Sequence, residues 1–200
     1  MSVLIIGGST STSSKSEIIL NYIETRLNRL NINLSRVNPS DFKPSDLVNY
    51  NFASEDIQRY QQKVASADVI IIATPVYQAA YSGALKLLLD LIPQKGLAGK
   101  TVLPLATGGS LGHLLALDYA LKPVLSALAA SRLLSSVFVT DDAFERSDTG
   151  AYRLADDLAQ RVDTALDELF SPVQVLSRPE TGTAHSFNDS AAEYSALASA

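Results

Sequence analysis

Two hundred residues and 21.4 kDa suit a single compact domain, and 46% hydrophobic content with a mean hydropathy of +0.12 is enough to build its core without cross-links. The formal charge of −5 argues against general nucleic-acid binding, and the absence of cysteine removes disulfides, thiolate metal sites and thiol nucleophiles. Residues 1–140 hold 12 basic and 9 acidic side chains, whereas residues 141–200 hold 4 and 12, so the first part can accept an anionic ligand although the whole chain is acidic. With two histidines, no metal site is expected. The start, MSVLIIGGSTS, has no basic segment, and its apolar run is too short to span a bilayer, so a cytoplasmic protein without membrane contact is expected.

Short β-branched runs then alternate with helical periods. Val3-Leu4-Ile5-Ile6 reads as a strand buried on both faces, and Lys15–Leu30 follows with Ile18, Ile19, Tyr22, Ile23, Leu27 and Leu30 at helical spacing. Ile32–Val37 is a second strand, and Ser54–Ser66 a helix capped by Ser54 with Glu55 and Asp56 in its first turn. Asp68–Thr74 is a third strand, leading through Pro75 to a helix near Ser82–Ile92. A fourth strand over Thr101–Ala106, a helix over Leu114–Ala130, a fifth strand over Leu133–Val139 and a helix over Ala151–Phe170 complete the pattern. Pro123 inside the Leu114–Ala130 helix removes one backbone donor and predicts a bulge or kink near Tyr119. That helix is apolar nearly all round, which calls for an intersubunit face and hence a homo-oligomer.

Five strands alternating with helices predict an α/β three-layer sandwich, and right-handed crossovers favour a parallel sheet in the flavodoxin-like order 2-1-3-4-5 with helices on both faces. The domain is expected over residues 1–170. The Ser/Ala-rich stretch 171–200 is read as a mobile extension that touches a partner subunit.

In this architecture ligands sit beyond the carboxyl ends of the strands, where three loops converge. The first, Gly8–Ser16, carries six Ser/Thr hydroxyls before Lys15 and runs into a helix N-terminus, a donor set that suits a phosphate monoester. It has neither dinucleotide nor triphosphate fingerprint. In the second, Thr74–Gly83, Pro75 and the small residues favour an exposed backbone against which a flat ring can lie, with Tyr77 and Tyr81 either flanking that ring or packing at a subunit contact. The third, Thr107-Gly108-Gly109-Ser110-Leu111-Gly112-His113, lets backbone approach a ligand closely. Gly108–Gly112 also matches G-x-S-x-G, with Asp141 or Asp142 and His185 following in hydrolase order, so a serine hydrolase through Ser110 is a rival reading. His113 stands either near a ligand or as a cap.

The two blocks ATPVYQAAYSGALKLLLDLIP (73–93) and LPLATGGSLGHLLALDYALKPVLSALAA (103–130) resemble the NAD(P)H-dependent FMN reductases of the flavodoxin-like superfamily, in particular the reductase component of two-component alkanesulfonate monooxygenases. The resemblance covers about residues 1–170. It implies FMN with its phosphate on Ser9, Ser14, Lys15 and Ser16 and its ring against Pro75-Val76-Tyr77 and Thr107-Gly108-Gly109, with Ser110 beside the flavin. It also implies hydride transfer from NADPH or NADH without a catalytic side chain, release of reduced FMN to a monooxygenase, a dimer or tetramer, and Tyr119 on an interface helix as a candidate flavin gate, with Tyr81 and His113 nearby. Relatives tend to carry Pro-Arg where this chain has Thr10-Ser11, so one cation of the family pattern is missing while Lys15 remains. A flavodoxin-like electron carrier and a flavin-dependent quinone or azo reductase share the same site plan.

Overall fold

The computed structural model describes residues 1–30, 32–146 and 152–170. The elements in chain order are β1 (Ser2–Gly7), α1 (Lys15–Asn28), β2 (Asn33–Val37), α2 (Pro44–Val48), α3 (Glu55–Ser66), β3 (Val69–Tyr77), β4 (Ala80–Tyr81), α4 (Gly83–Asp90), β5 (Thr101–Gly108), β6 (Arg132–Leu133) and β7 (Val137–Thr140). A π-helical turn at Leu117–Leu121 precedes α5 (Lys122–Ala127), and β8 (Phe144–Arg146), β9 (Tyr152–Leu154) and α6 (Asp156–Phe170) close the described chain. The parallel order β2-β1-β3-β5 continues into β6 and β7, both paired with β5, which is the expected 2-1-3-4-5 arrangement. This is a flavodoxin-like α/β sandwich.

Alternation along the strands divides the core between the two sheet faces. Leu4, Ile6, Ile70 and Ile72 pack with α3, α4 and the turn at Leu117–Leu121. Val3, Ile5, Val69 and Ile71 pack with Ile19, Ile23 and Leu27 of α1 and with Leu158, Val162 and Leu166 of α6. Every one of these residues is almost fully removed from water, so each contributes roughly 1.5–3 kcal/mol of burial before chain entropy is counted.

Four expectations need correction. The fifth strand is two pieces, because Val102 faces Leu133 while Leu105 faces Val137, so three steps on β5 match four on its neighbour. Val102 accepts from Leu134 N–H on this side, which puts the missing N–H of Pro104 on the same side, at the interruption. The helix expected over 114–130 is broken into the π turn and α5, since Pro123 leaves the carbonyl of Tyr119 without its helical donor. The helix expected from Ala151 begins at Asp156; Tyr152–Leu154 instead pairs antiparallel with Phe144–Arg146. Ser54 starts α3, but its hydroxyl makes no capping bond and serves the carboxylate of Asp46. The extension expected over 171–200 lies outside the described residues.

Candidate functional site

Gly7 ends β1, and Gly8, the first residue beyond it, is held from both sides. Its N–H donates to the Ala73 carbonyl at 2.7 Å, and its carbonyl accepts from the Ser82 hydroxyl. A Cβ on Gly8 would lie 2.8 Å from the Thr74 Cβ, so glycine is required for this close approach. Thr74, fully buried, accepts from the Ser82 N–H at 3.1 Å and donates to the Pro75 carbonyl at 2.9 Å. The same Ser82 hydroxyl accepts from Leu85 N–H at 3.0 Å and caps α4. Thr74 and Ser82 thus lock the first and second loops together.

The hydroxyl loop is organised from within. Ser9 is only 6% exposed, and its hydroxyl accepts from Ser11 N–H at 3.1 Å. Ser14 caps α1 by accepting from Glu17 N–H at 3.3 Å, and the fully buried Ser16 holds the Ser14 hydroxyl at 3.1 Å. Lys15 and Ser16 open the helix, where the amides have no intrahelical acceptor and the dipole favours an anion. The Lys15 ammonium forms an ion pair with Asp141 at 2.7 Å and lies 5.6 Å from the centre of the Phe144 ring. Asp142, next along, is held below the usual carboxylate range by the Thr140 hydroxyl and by its own backbone amide.

Beneath the loop, Glu17 reaches the guanidinium of Arg36, which also binds Glu24 at 2.9 Å and Asn21 at 2.7 Å. Burial pushes the Glu17 carboxyl up despite Arg36. A Cβ on Gly7 would meet the side chains of both Asn38 and Glu17, so this polar group closes directly on β1.

The second loop is a hairpin. β3 runs on through Pro75 and Val76 to the exposed Tyr77 and turns back at Gln78 and Ala79 with φ of 49° and 61°, after which Tyr81 pairs with Val76. Burial pushes the Tyr81 phenol up. The hairpin packs against the π turn that carries Tyr119, which is 79% exposed.

In the third loop Thr107 and Gly108 are buried, and a Cβ on Gly108 would lie 2.9 Å from the Phe138 ring. Gly109 and Ser110 are exposed and line a cleft of about 460 Å³ with Leu111, Thr140, Asp141 and Asp142. Backbone at Ser110 is extended (φ −149°, ψ 153°), not the sharp strand-to-helix turn that exposes a nucleophile, and Asp141 faces Lys15. His185 lies outside the described residues. His113 turns its Cβ toward Gly108, and its Nδ1 is buried with no hydrogen-bond partner among the described residues.

The fold therefore gathers Ser9, Ser14 and Lys15 at one strand end, with Pro75, Val76, Thr107, Gly108 and Gly109 beside them, since Pro75 pairs with Thr107 across β3 and β5. Ser16 stands behind Ser14 rather than at the surface. Neutral hydroxyls, helix-start amides and one ammonium fit a phosphate monoester, and the hairpin and glycine turn fit a flat ring. Thr74, Ser82 and the pairing of Asp141 with Lys15 are absent from any local motif; the Ser-Gly start of α4 was the one available sign.

The family model described as NADPH-dependent FMN reductase matches residues 1–145. An Escherichia coli FMN reductase (NADPH) is 46% identical over 171 residues, covering 84% of this chain and 87% of that protein. A Pseudomonas putida FMN reductase (NADPH) is 42% identical over 180 residues, covering 90% and 91%. The apo crystal structure of an NADH:FMN oxidoreductase, EmoB, superposes with a TM-score of 0.74 at 34% identity, covering 84% of this chain and 87% of that one.

Proposed function

The chain belongs to the NADPH-dependent FMN reductase family, and from that premise we propose that it hands reduced FMN, unbound, to a separate monooxygenase that acts on a sulfonate. The chain is an NAD(P)H:FMN oxidoreductase. Bound flavin supplies the acceptor for a hydride from reduced nicotinamide. The chain supplies position. Ser14, the α1 start and Lys15 bind the phosphate, while Ser9 shapes the loop around it. Pro75-Val76-Tyr77 and Thr107-Gly108-Gly109 hold the ring plane, leaving the exposed Gly109–Ser110 side for the nicotinamide. Thr74 and Ser82 fasten the phosphate loop to the first ring wall, and the pairing of Pro75 with Thr107 sets the two ring walls side by side, so little orientation is lost at the moment of transfer. No side chain is required to move a proton.

The observation that carries release is the make-up of the first loop: Lys15 is the only basic residue between Gly8 and Ser16, and it already has a carboxylate partner. A permanent carrier needs a tighter hold. Assembly follows from Leu114, Leu115 and Tyr119, apolar and exposed beside the ring wall, which we assign to a homo-oligomer contact. Residues 1–170 make up the flavin and nicotinamide unit in this reading.

The test is NADPH and NADH oxidation in air by purified protein with titrated FMN, followed by sulfite release from an alkanesulfonate when an FMN-dependent monooxygenase is added. Turnover that saturates with added FMN, and sulfite that requires both proteins, is the expected result. Flavin retained through purification with no nicotinamide oxidation would make the protein an electron carrier. Flavin turnover with no sulfite in the coupled assay would remove the sulfonate partner.

A further inference from the structure

We infer that Asp141 sets the affinity of this protein for the flavin phosphate, as a carboxylate that competes with the phosphate for the ammonium of Lys15. The inference rests on the first loop being the phosphate site, and it adds a residue from another strand end to that site. Asp141 follows β7 and lies far from Lys15 in sequence, yet the two meet at 2.7 Å. Lys15 is 30% exposed and Asp141 56%, so the pair is open to solvent and can be exchanged for another anion.

Several contacts hold the ammonium on the Asp141 side. The Phe144 ring lies beneath it at 5.6 Å, a cation–π arrangement that adds a second attraction. Asp142 stands alongside with its carboxyl kept ionised by Thr140, so the negative charge at this edge is double. Asp141 also borders the cleft next to Gly109, whose Cβ position lies 4.0 Å from its Oδ2. A dianionic phosphate arriving at the α1 start therefore meets a cation that is already neutralised, and it must also approach a carboxylate of its own sign. Both effects weaken the hold on FMN and leave the ring contacts untouched.

The comparison that isolates this is FMN against riboflavin, which carries the same ring and no phosphate. Binding of each is measured by quenching of flavin fluorescence, without turnover, in the wild-type protein and in Asp141→Asn, Asp142→Asn, Lys15→Ala and Lys15→Ala/Asp141→Asn. The expected result is that Asp141→Asn binds FMN about three- to tenfold more tightly, the scale of an exposed ion pair plus one like-charge contact, with riboflavin unchanged. Asp142→Asn gives a smaller gain, and the gain from Asp141→Asn vanishes when Lys15 is alanine. FMN affinity that is unchanged or weaker in Asp141→Asn, or an equal gain in Asp142→Asn, overturns the competition while leaving the phosphate loop in place. Equal wild-type affinity for FMN and riboflavin, with no loss in Lys15→Ala, removes the phosphate site itself and the competition with it.

Discussion

The hydroxyl of Ser82 donates to the carbonyl of Gly8, 74 residues earlier, and at the same time caps α4 through Leu85. One side chain thus fastens the phosphate loop to the wall that receives the ring. Ser82→Ala removes the cap and leaves a buried carbonyl without its donor, a loss of about 1–2 kcal/mol. Urea denaturation reads that loss. FMN affinity falls in the same variant because the first loop is no longer held against Thr74. A variant with wild-type FMN affinity would show that the loop keeps its shape without Ser82.

Glu17 gives stability a pH dependence of unusual sign. Burial, opposed by Arg36, holds its folded carboxyl above the ordinary value of 4.5. The folded protein therefore binds this proton more tightly than the unfolded chain does. The resulting stability is fully present below 4.5 and is lost as the pH rises through the raised value. Asp68, held low by the Ser2 amide and hydroxyl, acts oppositely, its contribution fading as the pH falls below 3.8. Glu17→Gln abolishes the first slope and keeps the second. Denaturation midpoints taken across this range distinguish the two, and a slope that survives in Glu17→Gln would place its origin elsewhere.

The turn between β3 and β4 puts two residues other than glycine in the left-handed region, at Gln78 and Ala79. Each carries a steric cost of about 1–2 kcal/mol that glycine avoids. Part of that gain is returned through the greater freedom of glycine in the unfolded chain, so Ala79→Gly stabilises by about 0.5–1 kcal/mol. A lower denaturation midpoint in Ala79→Gly would mean that the hairpin is not under this strain.

Leu115 and Tyr119 are 56% and 79% exposed on the same short segment. A charge placed there, as in Leu115→Asp, meets water in a monomer and apolar surface in an assembly. Sedimentation is expected to show smaller particles for Leu115→Asp with an unchanged far-ultraviolet circular dichroism spectrum. Particles of unchanged mass would move the contact to another face.

Most of the sheet was readable because β1, β3 and β5 are continuous apolar runs, and β-branched Val69 to Ile72 admit no other reading. Pro123 announced the π turn through the donor it lacks. The split of the last strand was not readable, since Pro104 interrupts a neighbour rather than its own strand, and the side on which its N–H is missing depends on register. The hairpin turn was hidden for a different reason: Gln78-Ala79 carries none of the glycine or asparagine that such turns usually display. At the site, hydroxyl density and paired glycines marked the loops. The pairing of Lys15 with Asp141 joins two loops distant in sequence, and local spacing contains nothing of it.

The interruption between β6 and β7 also bears on what the protein avoids. An outermost strand with an unbroken ladder is a template on which another chain can add itself. Here that margin is cut into a two-residue and a four-residue piece out of step with each other, so no visiting strand can zip along its length. The homo-oligomer contact proposed for Leu114, Leu115 and Tyr119 accordingly uses side chains and not this edge. A short kink in the sheet thus blunts one of its two margins against edge-to-edge pairing, while the opposite margin, β2, runs unbroken over Asn33–Val37.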